Sequence, residues 1–97
     1  MIEDLREEID KIDEELVRLM NRRAEVALEI GKEKKSRELE LTDPGREEAV
    51  LAHVRRSNSG PFSNSQLERV YRALISETKE IQTEVGLDDS RNEAGSN

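Results

Sequence analysis

The chain has no cysteine, which excludes disulfides, thiol nucleophiles and thiolate metal sites together. Its single histidine, His53, gives no basis for a histidine-ligated zinc site or a serine–histidine dyad, and reads as a solvated helix residue. Tryptophan is absent, aromatics make up 2% and hydrophobic residues 33% of the 97 positions, so the composition points to helices rather than a sandwich or barrel. No apolar run approaches the roughly 18 residues a membrane span requires, and the N-terminus MIEDLREEID is charged every few residues, so the expected location is the cytoplasm. Positive charge is also scarce. The net charge of -7 argues against nonspecific binding to nucleic acid or an anionic membrane surface. An anion bound here must be held by a local cluster of cations.

What the chain does have is a heptad stripe with an arginine set into it. Ile2, Leu5, Ile9, Ile12, Leu16, Leu19, Arg23, Val26 and Ile30 recur at alternating spacings of three and four, which places them on one face of one long helix. A guanidinium on a buried seam cannot shed its proton. It must meet an anion, from the protein or from a ligand, or the fold loses several kcal/mol. The helix should run from Ile2 to about Lys35, a rod of roughly 50 Å at about 1.5 Å per residue. A compact domain of this size has a radius of gyration of only about 13 Å. Two short helices cannot cover such a rod, so the stripe is expected to pack against a second copy of the chain.

The pattern lapses between Ser36 and Thr42, and TDPGRE opens a second, short helix with Asp43 as N-cap and Pro44 at its first position. It should end near Arg56, with Val50, Leu51 and Val54 inward, before Gly60 and Pro61 break the chain. Ser63 and Gln66 form a capping box for a third helix, with Phe62 and Leu67 placed as its hydrophobic staple. The inward face of that helix reads Leu67, Val70, Tyr71, Leu74, Thr78, Ile81 and Val85, with Gln82 beside it and Gly86 as its stop. The expected architecture is all-α, with one long, one short and one medium helix. Residues 1–86 form the helical domain, and 87–97, polar and without period, a disordered tail.

Most charges sit on solvated faces, but some polar residues do not. Arg23 lies on the seam, Arg6 and Lys34 lie beside it at the same heptad phase, and Thr78 and Gln82 face inward four residues apart. Asp43, Arg46 and Glu47 open the second helix. Taken singly, each has a structural reading: an ion pair for Arg23, exposed partners of nearby glutamates for Arg6 and Lys34, a cap for Asp43, a core amide for Gln82. Together they outline a polar pocket between helices, suited to a small anion with more than one carboxylate.

The blocks LREEIDKIDEELVRLMNRRAEVALEIGKEK, TDPGREE and VYRALISETKEIQ, with the spacings between them, resemble the all-helical chorismate mutases over roughly residues 2 to 85. The GPF turn is similar to that of chorismate mutase domains joined to the synthase of the pathway's first committed step, so a synthase partner is a further expectation. The resemblance implies an intertwined homodimeric helical bundle with two sites, each using a residue from the partner's long helix. Arg6 would be the crossing residue and would clamp the substrate's carboxylates with Arg23. Lys34 and Gln82 would hydrogen-bond the ether oxygen, and these four would form the catalytic set. Glu47 and the backbone around Asp43 would hold the ring hydroxyl, Arg46 would complete the cationic wall, and Thr78, where the family often has serine, would meet the ring carboxylate. No metal or cofactor is expected, because rearranging chorismate to prephenate is a one-substrate pericyclic step. Two rivals share the fold: an isochorismate-pyruvate lyase, and a non-catalytic module that senses prephenate or serves dimerisation.

Overall fold

A computed structural model describes residues 1–87 of the chain. Three helices follow in order, α1 (Ile2–Ser36), α2 (Pro44–Ser57) and α3 (Asn64–Glu84), and no strand occurs among the described residues. The helix limits fall within a residue of those expected. Pro44 occupies the first turn of α2, where its missing N–H is not needed, and the Asp43 side chain accepts from the Arg46 backbone N–H at 3.1 Å. At the start of α3 the capping box is complete: Gln66 donates its N–H to Ser63 Oγ at 3.1 Å, and Ser63 donates its N–H to Gln66 Oε1 at 2.9 Å. Asn58 braces the intervening turn by donating to the carbonyl of Phe62 and to Asn64 Oδ1.

Both α1 and α3 end in Schellman motifs, and only one of them was visible in the sequence. Gly86 takes a φ of 82° after α3, and Leu87 donates to the Gln82 carbonyl at 2.9 Å. Leu87, where the sequence places the start of the tail, thus closes the helix end; the rest of that segment lies outside the described residues. After α1, Glu38 holds a φ of 58° while Leu39 donates to Lys34 O at 2.8 Å and Glu38 to Lys35 O at 3.1 Å. A glutamate here does what a glycine usually does.

Helix α3 packs against both α1 and α2, whereas α1 and α2 do not pack on each other. Among the described residues Leu51 is fully buried and Val54 nearly so, and ion pairs of Arg55 with Glu68 and Arg72 with Glu48 join α2 to α3. The ends of α1 and α3 converge at the buried Gly31, where a Cβ would lie 2.8 Å from Leu87 Cδ1 and 3.4 Å from Gln82 Nε2. Lys35 donates to the Gly86 carbonyl at 2.6 Å across the same junction. The N-terminal part of α1 projects beyond this body, and the whole measures 55 Å along its long axis with a radius of gyration of 16.6 Å. On that projection the stripe is uncovered: Ile9 is 55% and Ile12 52% exposed. Val70, Ile81 and Val85, read from the sequence as part of the inward face of α3, are also exposed in the single chain. The apolar face of α3 is wider than one copy of α1 and α2 can cover.

Candidate active site

Because α3 holds α1 and α2 apart, a cleft opens between them. It has a volume of about 460 Å³. The C-terminal half of α1 supplies one wall with Arg23, Val26, Ala27, Ile30 and Lys34, the start of α2 supplies Asp43, Arg46, Glu47 and Val50, and α3 forms the floor with Ile75, Thr78, Lys79 and Gln82. Every site residue expected from the sequence lines this cleft except Arg6. That residue lies on the exposed projection of α1, with Nη1 3.2 Å from Glu3 Oε1.

The cations at the cleft are largely without counter-charges. Arg23 is half-buried and faces the ring of Tyr71, with its guanidinium carbon 6.0 Å from the ring centroid. No carboxylate among the described residues lies within ion-pair distance of Arg23, Lys34 or Arg46. Lys34 instead donates to the Leu41 backbone carbonyl at 3.2 Å, which draws the loop before α2 over the end of α1 and leaves two ammonium protons for other acceptors. Arg22, also at the cleft, is occupied by Glu25 at 3.5 Å. Against Arg22, Arg23, Lys34, Arg46 and Lys79 the lining carries only Asp43 and Glu47. A chain that is acidic overall therefore holds a locally basic cleft with apolar walls, the environment in which an anion is bound with little competition from water.

Thr78 and Gln82 on α3 are the best buried polar side chains among the described residues, each 8% exposed. Gln82 donates from Nε2 to the Ala27 carbonyl at 2.9 Å. That bond uses one amide proton and leaves the other. Thr78 donates its hydroxyl proton to the Leu74 carbonyl at 2.7 Å, so as it stands it offers the cleft only acceptor lone pairs. Asp43 Oδ1 serves as the α2 cap, which places a carboxylate at the positive end of that helix.

Like Arg22, Lys79 is a charged cleft residue that the sequence did not disclose. Its ammonium pairs with Glu47 across the α2–α3 contact. It reads as one of many solvated charges on α3, although its position three residues before Gln82 makes it a neighbour of that residue on the helix surface. No group of histidine, cysteine, aspartate or glutamate residues that could hold a metal ion occurs among the described residues. Nor is any described helix long and apolar enough to cross a membrane.

Fold and site together define a small all-helical protein with a basic interhelical cleft. The family model for chorismate mutase type II matches residues 5–83, and the chain belongs to that family. It is 35% identical over 88 residues to the bifunctional chorismate mutase/prephenate dehydratase of Aquifex aeolicus, covering 87% of this chain and 24% of that protein. The corresponding bifunctional protein of Neisseria gonorrhoeae is 36% identical over 77 residues, covering 79% of this chain and 21% of the relative. The chain thus spans about a quarter or less of the length of these curated relatives. Among solved structures, a chorismate mutase from Thermus thermophilus in its form II superposes with a TM-score of 0.82 at 29% identity, covering 84% of this chain and 93% of the other. Its form I gives a TM-score of 0.78 at 31% identity, with coverage of 79% and 96%.

Proposed function

We propose that the chain catalyses the Claisen rearrangement of chorismate to prephenate, as a homodimer in which each cleft is completed by Arg6 of the partner subunit. The observation that carries this reading is the set of half-satisfied donors in one cleft. Arg23, Lys34 and Arg46 have no carboxylate partner among the described residues, and Gln82 keeps one amide proton. A dicarboxylate with an ether oxygen between its charged ends matches that set.

In this reaction one C–O bond breaks and one C–C bond forms within a single molecule, and no proton changes place. The protein has two tasks. It must hold the flexible side chain over the ring in a chair-like geometry, and it must stabilise the negative charge that grows on the ether oxygen. Arg23 and Arg6 of the partner subunit perform the first by gripping separate carboxylates, which removes rotational freedom before the bond breaks. Lys34 and Gln82 perform the second as fixed donors. Glu47 and the backbone at Asp43 hold the ring hydroxyl, and Arg46 adds to the cationic wall. Thr78 can donate to the ring carboxylate only by turning its proton away from Leu74. A millionfold acceleration requires about 8 kcal/mol, and preorganised charge in a cleft with apolar walls is an effect large enough to supply it.

The uncovered seam supports the dimer. Ile2, Leu5, Ile9, Ile12 and Leu16 are each about half exposed or more in the single chain, and contiguous apolar surface of this kind needs a partner. A second α1 carries the matching stripe and also brings Arg6. The reading further places the chain in the cytoplasm, with a synthase of the same biosynthetic route as a candidate partner.

The decisive experiment follows chorismate absorbance with the wild-type protein and Arg23→Ala side by side, with isochorismate as a parallel substrate. Turnover of chorismate by the wild type alone supports the proposal. Inert chorismate, or pyruvate released from isochorismate in its place, overturns it.

A further inference from the structure

The charge of Glu47 is a difficulty for any cleft that receives a dianion. A bare carboxylate on the wall repels the ligand that Arg23 and Lys34 attract, and the repulsion grows as water leaves. Asp43 meets part of this difficulty through the Arg46 backbone N–H at the positive end of α2. Glu47 sits a turn further along, and its ion-pair partner is Lys79 on α3.

That pair has little to do for stability. The side chains of Lys79 and Glu47 are 39% and 32% exposed, and pairs at such exposure contribute at most about 1 kcal/mol. The same two helices are already joined by Arg55 with Glu68 and by the buried Leu51 and Val54, none of which lines the cleft. The pair instead alters the cleft itself. It makes the Glu47 wall electrically neutral, and the ammonium lies against Oε1, which is buried and has no hydrogen-bond partner among the described residues, so that Oε2 is left to accept a hydrogen bond.

We propose that Lys79 is a positioning residue for the substrate: it cancels the charge of Glu47 toward the incoming dianion and fixes its carboxylate so that the free oxygen accepts the ring hydroxyl. The proposal rests on the reading of the cleft as a chorismate site. Lys79 acts through Glu47 and touches no reacting atom, so its loss should weaken substrate binding rather than slow the chemical step.

The test measures kcat and KM for chorismate with the wild type, Lys79→Met, Lys79→Arg, Glu47→Gln and the Lys79→Met/Glu47→Gln double variant. Lys79→Met should raise KM about tenfold and change kcat by less than about threefold, as expected when one wall charge goes uncompensated. Lys79→Arg should restore most of the loss. In the Glu47→Gln background, where no charge remains to cancel, Lys79→Met should cost less than about twofold. A wild-type KM in Lys79→Met, or an equal loss in both backgrounds, overturns the proposal and leaves the reading of the cleft intact. A wild type inert toward chorismate removes both. Circular dichroism checks that helicity is retained, and should Lys79→Met fail to fold, Lys79→Gln carries the same comparison.

Discussion

Gln82 donates to the backbone carbonyl of Ala27, 2.9 Å away across the α1–α3 contact, and this single bond sets the orientation of the amide. A carbonyl can only accept, so the nitrogen of Gln82 must face Ala27 and its second proton is held in a fixed direction. The residue is 8% exposed, which leaves no bulk water to exchange for that bond. Gly31 permits this approach of α1 and α3, because a Cβ there would lie 3.4 Å from Gln82 Nε2.

Replacing Gln82 with glutamate therefore puts a carboxyl against a carbonyl in a buried position. Both burial and the facing oxygen disfavour the ionised form, so the new group should titrate above the usual glutamate range near 4.3. Wild-type turnover should be flat between about pH 6 and 8, since an amide holds no titrating proton. Gln82→Glu should be slow at pH 7 and recover as the pH falls and the carboxyl becomes a donor. Stability should move the same way. A carboxyl whose folded-state pKa is raised binds its proton more tightly when folded, so the stabilisation is present at low pH and is lost as pH rises through that value. Rate profiles and thermal melts at pH 5 and pH 8 check both halves. A variant whose rate and melting temperature do not depend on pH would contradict the donor role of Gln82.

Arg23 makes a different case, because it has a ring beneath it and no carboxylate beside it. Truncation to alanine gives up a contact worth about 0.5–1 kcal/mol at a partly exposed site, and it removes a cation that nothing in the described chain neutralises. Arg23→Ala should melt within a few degrees of the wild type while chorismate turnover drops by orders of magnitude. Lys34→Ala should behave alike, since its bond among the described residues is to the Leu41 carbonyl alone. Near-normal turnover in either variant would remove these residues from the site.

The helices and their caps were legible in the sequence because each rests on local chemistry. Asp43 before Pro44, Ser63 with Gln66, and Gly86 after the last turn are signals that act within a few residues of themselves. Arg23 and Lys34 were legible because their spacing fixes which face of α1 they occupy. What was not legible lies in contacts between elements. The partners of Gln82 and Lys34 are backbone carbonyls, and no side chain advertises them. Lys79 carries the same signal as any exposed lysine until α2 brings Glu47 to it. Val70 and Ile81 have the hydrophobic period of an inward face, but period alone does not say whether the covering surface belongs to the same chain.

The turn after α1 offers a test that is independent of function. Glu38 holds a left-handed φ of 58°, which costs a residue with a Cβ about 1 kcal/mol or more and costs glycine almost nothing. Glu38→Gly keeps both hydrogen bonds of the motif and should raise stability by up to about 1 kcal/mol, the gain being reduced by the greater freedom of glycine in the unfolded chain. Glu38→Val, with a branched Cβ at the same φ, should lower stability. Chemical denaturation of the three proteins checks the order.

Arg6 tests the proposed dimer most directly, because among the described residues of its own chain it reaches only Glu3, and it lies outside the cleft. Arg6→Ala and Arg23→Ala should each be nearly inactive alone, for different reasons. The first lacks the residue it lends, and the second lacks the residue it keeps. When equal amounts are unfolded together and refolded, random pairing should make about half of the dimers mixed. In a mixed dimer the Arg6→Ala chain keeps its own Arg23 and receives Arg6 of the partner subunit, so one of its two sites is intact while the other lacks both arginines. The mixture should therefore regain about one quarter of wild-type activity. If Arg6 served its own chain, or if the protein acted as a monomer, mixing would restore nothing.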